Sequence, residues 1–119
     1  MSIFTPGGTN YIGVTDIAAA TDWYIQKLGL RKVDVELDDG EDCVALGFEK
    51  GECAVCLGPP GRPTDELTHM LYSSNLKKAR EFLISRGVNV SDIQQDRQET
   101  HYFEMRDLEG NVIEITDEI

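Results

Sequence analysis

Apolar and polar residues along this chain fall into two series of the same order. The first opens with Tyr11-Ile12-Gly13-Val14-Thr15, a short strand in which Ile12 and Val14 share one face. Asp16 is suited to cap a helix, because its carboxylate can accept from the unpaired N–H groups of a first turn, and Gly29 is suited to end one. Between them Ile17, Ala20, Tyr24 and Leu28 recur at helical spacing and predict one apolar stripe on a helix that runs through Leu28. Lys32-Val33-Asp34-Val35-Glu36-Leu37 alternates with period two and predicts a strand, followed by a turn at Asp39-Gly40. Residues 43–48 and 53–57 supply two more strands, parted by Lys50-Gly51. The order is β-α-β-β-β.

A second series follows the breaker cluster Gly58-Pro59-Pro60-Gly61-Arg62-Pro63-Thr64. Residues 68–73 read as a strand, Asn75 as the cap of a helix over 76–85, and Gly87 as its end. Val88-Asn89-Val90 begins a strand that extends to about residue 93, and residues 102–106 and 112–116 form a hairpin around Asp107-Leu108-Glu109-Gly110-Asn111. Adding 59 carries Asp16 onto Asn75, Ile17 onto Leu76 and Trp23 onto Phe82, while adding 58 carries Gly29 onto Gly87. The chain therefore reads as a duplicated βαβββ module, about 9–58 and about 67–116, within one α+β domain.

Composition narrows the function classes. At 119 residues the chain is long enough to bury a core without disulfides or metal. No apolar run approaches the length of a membrane span, and the first residues lack the basic start and apolar stretch of a signal peptide. Three cysteines cannot all pair within one chain, so a reducing, cytoplasmic setting is expected. The net charge is −11, divided −6 and −5 between residues 1–58 and 59–119, which argues against nucleic-acid or anionic-membrane partners; it serves solubility, or else a field that draws in a cationic ligand.

Two segments resemble the signatures of a known superfamily. Val14-Thr15-Asp16-Ile17 with Trp23-Tyr24 and Leu28-Gly29-Leu30 is similar to its N-terminal signature. Phe103-Glu104-Met105-Arg106-Asp107-Leu108-Glu109-Gly110-Asn111-Val112-Ile113-Glu114-Ile115 is similar to its C-terminal one, with Leu108-Glu109 where Pro-Asp is usual. The group is the vicinal oxygen chelate superfamily of glyoxalases, bleomycin-resistance proteins and extradiol dioxygenases. The resemblance spans nearly the whole chain. It implies two βαβββ modules whose mixed sheets curl into a concave groove with the helices outside, commonly in a homodimer. In metal-dependent members it also implies ligands from the first and last strand of each module. Carried onto this sequence, those four positions fall on Thr9, Cys56, Thr68 (or the adjacent His69) and Glu114. Threonine is a poor donor for Zn, Ni, Mn or Fe, so no metal cofactor is expected. The alternative is a divalent-metal site of Glu114, His69 and Cys56, reached if a bulge turns His69 toward the groove.

Strand alternation assigns the remaining candidates. Phe103, Met105, Ile113 and Ile115 should pack on the helices, leaving Tyr102, Glu104, Val112 and Glu114 for the groove. By the same parity Tyr11, Met70 and Tyr72 join them, and the predicted ligand-binding set is Tyr11, Cys56, Met70, Tyr72, Tyr102, Glu104 and Glu114. Trp23 is expected at a helix surface or an interface. Other motifs fall away. Cys53-Ala54-Val55-Cys56 puts its thiols on opposite strand faces. The six acids between Asp34 and Asp42 lack the glycine and glutamate spacing of a calcium loop. No Gly-rich turn is followed by Lys-Ser/Thr, and Ser73, His69 and Asp65 carry no triad geometry.

Three functions compete. The first is a dimeric binding protein that sequesters a cationic or aromatic small molecule in its groove. The second is a metal-dependent lyase or isomerase, or a ring-cleaving dioxygenase, in which Glu114 acts as ligand and base. The third is a partner-binding module whose groove is filled by side chains.

Overall fold

A computed structural model describes residues 4–6, 9–33, 43–48, 53–61 and 69–117. In chain order its elements are β1 (Thr5–Pro6), β2 (Asn10–Gly13), α1 (Ile17–Leu28), β3 (Arg31–Lys32), β4 (Val44–Gly47), β5 (Val55–Gly58), β6 (His69–Ser73), α2 (Leu76–Ser85), β7 (Asn89–Val90), β8 (Gln94–Gln95), β9 (His101–Arg106) and β10 (Val112–Asp117). One sheet has the order β2-β5-β4-β3 and the other β1-β6-β10-β9-β7, with β8 added to β9. In each, the strand before the helix pairs parallel with the last strand of its series, which pairs antiparallel with the one before it. The two series share one topology, so the fold is α+β with two βαβββ modules.

Local chemistry sets the helices as the spacing predicts. The Asp16 side chain accepts from the Ala19 N–H at 3.0 Å, and the Asn75 side chain accepts from the Lys78 N–H at 3.0 Å. At the far ends Gly29 and Gly87 hold the left-handed conformation, with φ of 75° and 78°, which a side chain would strain. Ala20, Tyr24 and Leu28 of α1 and Leu76, Ala79 and Leu83 of α2 are buried in one core. Ile12, Leu46, Val55 and Leu57 of one sheet and Leu71, Phe103, Met105, Ile113 and Ile115 of the other belong to the same core. Phe4 lies between the modules, 5.8 Å from the Phe48 ring and 6.0 Å from the Phe82 ring.

The two signature segments turn out to be one clasp. Asp107 is buried and accepts from the Tyr24 hydroxyl at 2.7 Å, the Glu109 N–H at 2.9 Å, and Asn111 through its N–H at 2.8 Å and its Nδ2 at 3.0 Å. Glu109 reaches the start of α1, where its carboxylate accepts from the N–H groups of Thr15 and Asp16 and from the Thr15 hydroxyl. The loop of the last hairpin therefore ties itself to the first helix. At the opposite ends of the helices, Lys27 donates to the Arg86 carbonyl and Arg86 to the Gln26 carbonyl. Lys27 and Arg86 are 59 apart, the repeat shift itself.

Three boundaries differ from the sequence reading. β1 pairs with β6 and was not anticipated, since two residues carry no periodicity. The expected strand over 88–93 stops at Val90, and β8 starts at Gln94. Between them Ser91 donates its N–H to the Glu104 carbonyl and accepts the Glu104 N–H on its hydroxyl, so a side chain replaces one ladder partner. β3 covers Arg31–Lys32. Val33 follows it without strand assignment, its N–H donating to the Ala45 carbonyl at 3.0 Å. The remainder of its expected length, from Asp34, with the Asp39-Gly40 turn, Lys50-Gly51, the acidic run to Asp42 and Thr68, lies outside the described residues.

Candidate ligand-binding face

Registers decide which side chains share a face. In the larger sheet Met70 pairs with Glu114 and Glu114 with Glu104, forming one row across three strands. Two residues along, Tyr72 pairs with Thr116 and Thr116 with Tyr102, forming a second row on the same face. In the smaller sheet Tyr11 pairs with Cys56 and Cys56 with Ala45. Ala45 and Cys56 are buried yet stand apart from the apolar core that takes in their neighbours Leu46, Val55 and Leu57. Both sheets thus turn a second face away from the helix-packed core. Asn10 joins them edge to edge: its side chain donates to the Met70 carbonyl at 2.8 Å and accepts the Met70 N–H at 2.9 Å.

Of the predicted set, Met70, Tyr72, Tyr102, Glu104 and Glu114 stand in these two adjoining rows. Tyr11 holds the corresponding place in the smaller sheet, across the Asn10 seam. Cys56 is fully buried and presents no surface. Thr116, which the parity argument stopped short of, belongs with them. It is 7% exposed, and its hydroxyl is buried without a hydrogen-bond partner among the described residues. The signal was available, since Thr116 lies two residues beyond Glu114. A threonine at a strand end reads as an ordinary β-former.

Glu114 is the charged centre of this face. Burial, then Glu104, then Asp96 push its carboxyl above the usual carboxylate range. Among the described residues it makes no ion pair or hydrogen bond; Arg80 pairs with Asp92, and His101 Nδ1 lies 3.4 Å from the Asp117 carboxylate. Trp23, half-buried on α1, packs edge-on against Tyr24 with ring centroids 5.0 Å apart. A depression of about 400 Å³ between α1 and β3/β4, lined by Ile17, Ala18, Thr21, Asp22, Lys32 and Val44, contains none of the predicted site residues.

The alternative metal set is not brought together. His69 pairs with Ile113, one residue out of step with Glu114, so it points to the other face of the sheet and is buried there. No bulge interrupts β6 to turn it. Thr9 donates its hydroxyl to the Cys53 carbonyl at 3.0 Å. Burial pushes the Cys53 thiol up, which disfavours a thiolate ligand. Among the described residues no three His, Cys, Asp or Glu converge, and the donors present do not fit the superfamily's divalent-metal site.

The model for the Glyoxalase/Bleomycin resistance protein/Dioxygenase superfamily matches residues 8–115. The chain belongs to that superfamily. A glyoxalase-superfamily member from Sphaerobacter thermophilus shares 24% identity over 93% of this chain and 95% of its own, with a TM-score of 0.72. TnmS3, an antibiotic-binding protein from a Streptomyces species, shares 17% over 93% of each chain at a TM-score of 0.70. A lactoylglutathione lyase from Agrobacterium tumefaciens shares 15% over 92% of this chain and 91% of its own at 0.66. Likeness at these identities establishes the glyoxalase fold and leaves the chemistry to the site. Among curated proteins, none matches the chain. No helix among the described residues is long and apolar enough to cross a membrane.

Proposed function

We propose that this glyoxalase-superfamily chain is a small-molecule-binding protein that sequesters a cationic or aromatic ligand in the groove of a homodimer, without a resident metal. The observation that carries this reading is Glu114, a half-buried carboxylate with an acid opposite it and no cation paired with it among the described residues. Such a group loses solvation without gaining a partner, and a ligand cation supplies one. Tyr72 and Tyr102, one row away, offer ring faces to an aromatic or cationic group. Three cysteines, an odd number, suit a reducing, cytoplasmic setting. An antibiotic-binding protein among the structural neighbours lends the reading a precedent for the fold.

The test is a panel of cationic and neutral aromatic compounds screened by thermal shift, followed by calorimetry on wild type and Glu114→Gln. The variant keeps the fold and binds a cationic hit on the order of ten- to a hundredfold more weakly, the weight of a charge-assisted hydrogen bond. Equal affinities remove Glu114 from the site. Native mass spectrometry of untagged protein gives a dimer, and elemental analysis gives no stoichiometric Zn, Ni, Mn or Fe after dialysis. Retained metal that is lost on Glu114→Ala returns the metal-dependent lyase or dioxygenase reading to first place.

A further inference from the structure

Thr116 is the one buried side-chain oxygen or nitrogen among the described residues that has no hydrogen-bond partner. A native fold rarely leaves such a group, because the hydroxyl gives up its water and receives nothing in return. Its position adds direction. It lies on the Glu114 face of β10, with Tyr72 beside it on β6 and Tyr102 on β9. Strands lie about 4.8 Å apart, so these tyrosines rise from strands roughly 9–10 Å apart, close to two short ring-to-ring spacings. The Thr116 hydroxyl is closed off from solvent as the chain stands, so a flat ring takes the place between these two tyrosines by turning aside the side chains that cover it, with its edge toward the small residue in the middle. Two residues along β10, roughly 7 Å away, Glu114 and Glu104 face each other directly. Like charges set opposite on a sheet oppose folding, and a shared cation removes that cost.

Resting on the cation-binding reading above, we propose that this face takes a planar aromatic cation with two ends. Its charged end bridges Glu114 and Glu104, its ring lies between Tyr72 and Tyr102, and its far edge carries a hydrogen-bonding atom that partners the Thr116 hydroxyl. A hydroxylated aromatic amidine or amine is the chemical class. Threonine hydroxyl both donates and accepts, so a phenol-type hydroxyl at that edge pairs with it in either sense. The face would thereby distinguish such a molecule from its counterpart lacking the hydroxyl. A site with a buried polar group discriminates against a ligand that leaves that group unpaired.

The probes are 4-hydroxybenzamidine and benzamidine, which differ only in the hydroxyl at the end opposite the cation. Calorimetry on the full chain measures both against wild type, Thr116→Val, Thr116→Ser and Glu114→Gln. Wild type prefers the hydroxylated probe roughly three- to tenfold, the range of one net hydrogen bond. Thr116→Val abolishes that preference, and Thr116→Ser, which keeps the hydroxyl, retains it. Glu114→Gln weakens both probes about tenfold or more and preserves their ratio. If the ratio survives in Thr116→Val, or is unity in wild type, the proposal fails while cation binding at Glu114 stands. If neither probe binds at millimolar concentration, or Glu114→Gln leaves both affinities unchanged, this proposal fails and the cationic branch of the binding function fails with it. The melting temperature of each variant without ligand confirms that it is folded, and Thr116→Val is expected to match or exceed wild type because it removes an unpaired buried hydroxyl.

Discussion

Asp107 shows how much structure one carboxylate can hold. Its two oxygens accept from a phenol, two backbone N–H groups and an amide nitrogen, all donors. Asp107→Asn puts an NH₂ among those donors, and is expected to cost about 3 kcal/mol in urea unfolding, as for a buried charged network broken on one side. Glu109, fully exposed, behaves differently. The N–H groups of Thr15 and Asp16 hold its carboxyl below the usual range. A depressed folded value means the stabilisation is present above the ordinary carboxylate range and is lost as pH falls through the folded value. Glu109→Gln should therefore melt lower than wild type at neutral pH, and the gap should close in acid; a gap independent of pH would assign the effect to shape rather than charge.

At the scale of elements, the helices were legible because their signals are local. Asp16 and Asn75 cap, Gly29 and Gly87 terminate, and the bonds and dihedrals follow. Strand faces were legible too, since parity needs only the central residues of a strand, and it put Met70, Glu104 and Glu114 in one row. Partnering was not legible. Neither β1, whose pairing rests on a strand more than sixty residues away, nor the Ser91 interruption has a periodicity to read. His69 shows the same limit from the other side: a shift of one residue along β6 decides its face, and sequence alone left a bulge open. Cys56 lies in the strand expected to hold it, but its complete burial depends on what lies above it. In β10 the unpaired Glu114 opposes folding. Its raised value means the folded state loses stability as pH rises through the carboxylate range. Glu114→Gln is thus expected to stabilise the ligand-free protein at neutral pH by about 0.5 kcal/mol, after discounting for its solvent contact, and by nothing in acid. A chain that gains stability where it loses affinity trades one for the other.

On the scale of the whole molecule, the clasp and the seam divide the work. The Asp107–Glu109 loop and the Lys27–Arg86 exchange link the modules at opposite ends of the helices. Between the sheets the connection is thinner, for there the Asn10 side chain stands in for a strand and holds both polar groups of Met70. Met70 is also the register partner of Glu114. Its amide proton is guarded by a side chain, so it can reach solvent when Asn10 swings away, with both β-ladders intact. In deuterated buffer that proton should exchange ahead of its neighbours in β6, acting as a clock for the parting of the two sheets, and a molecule bound across the groove should slow it.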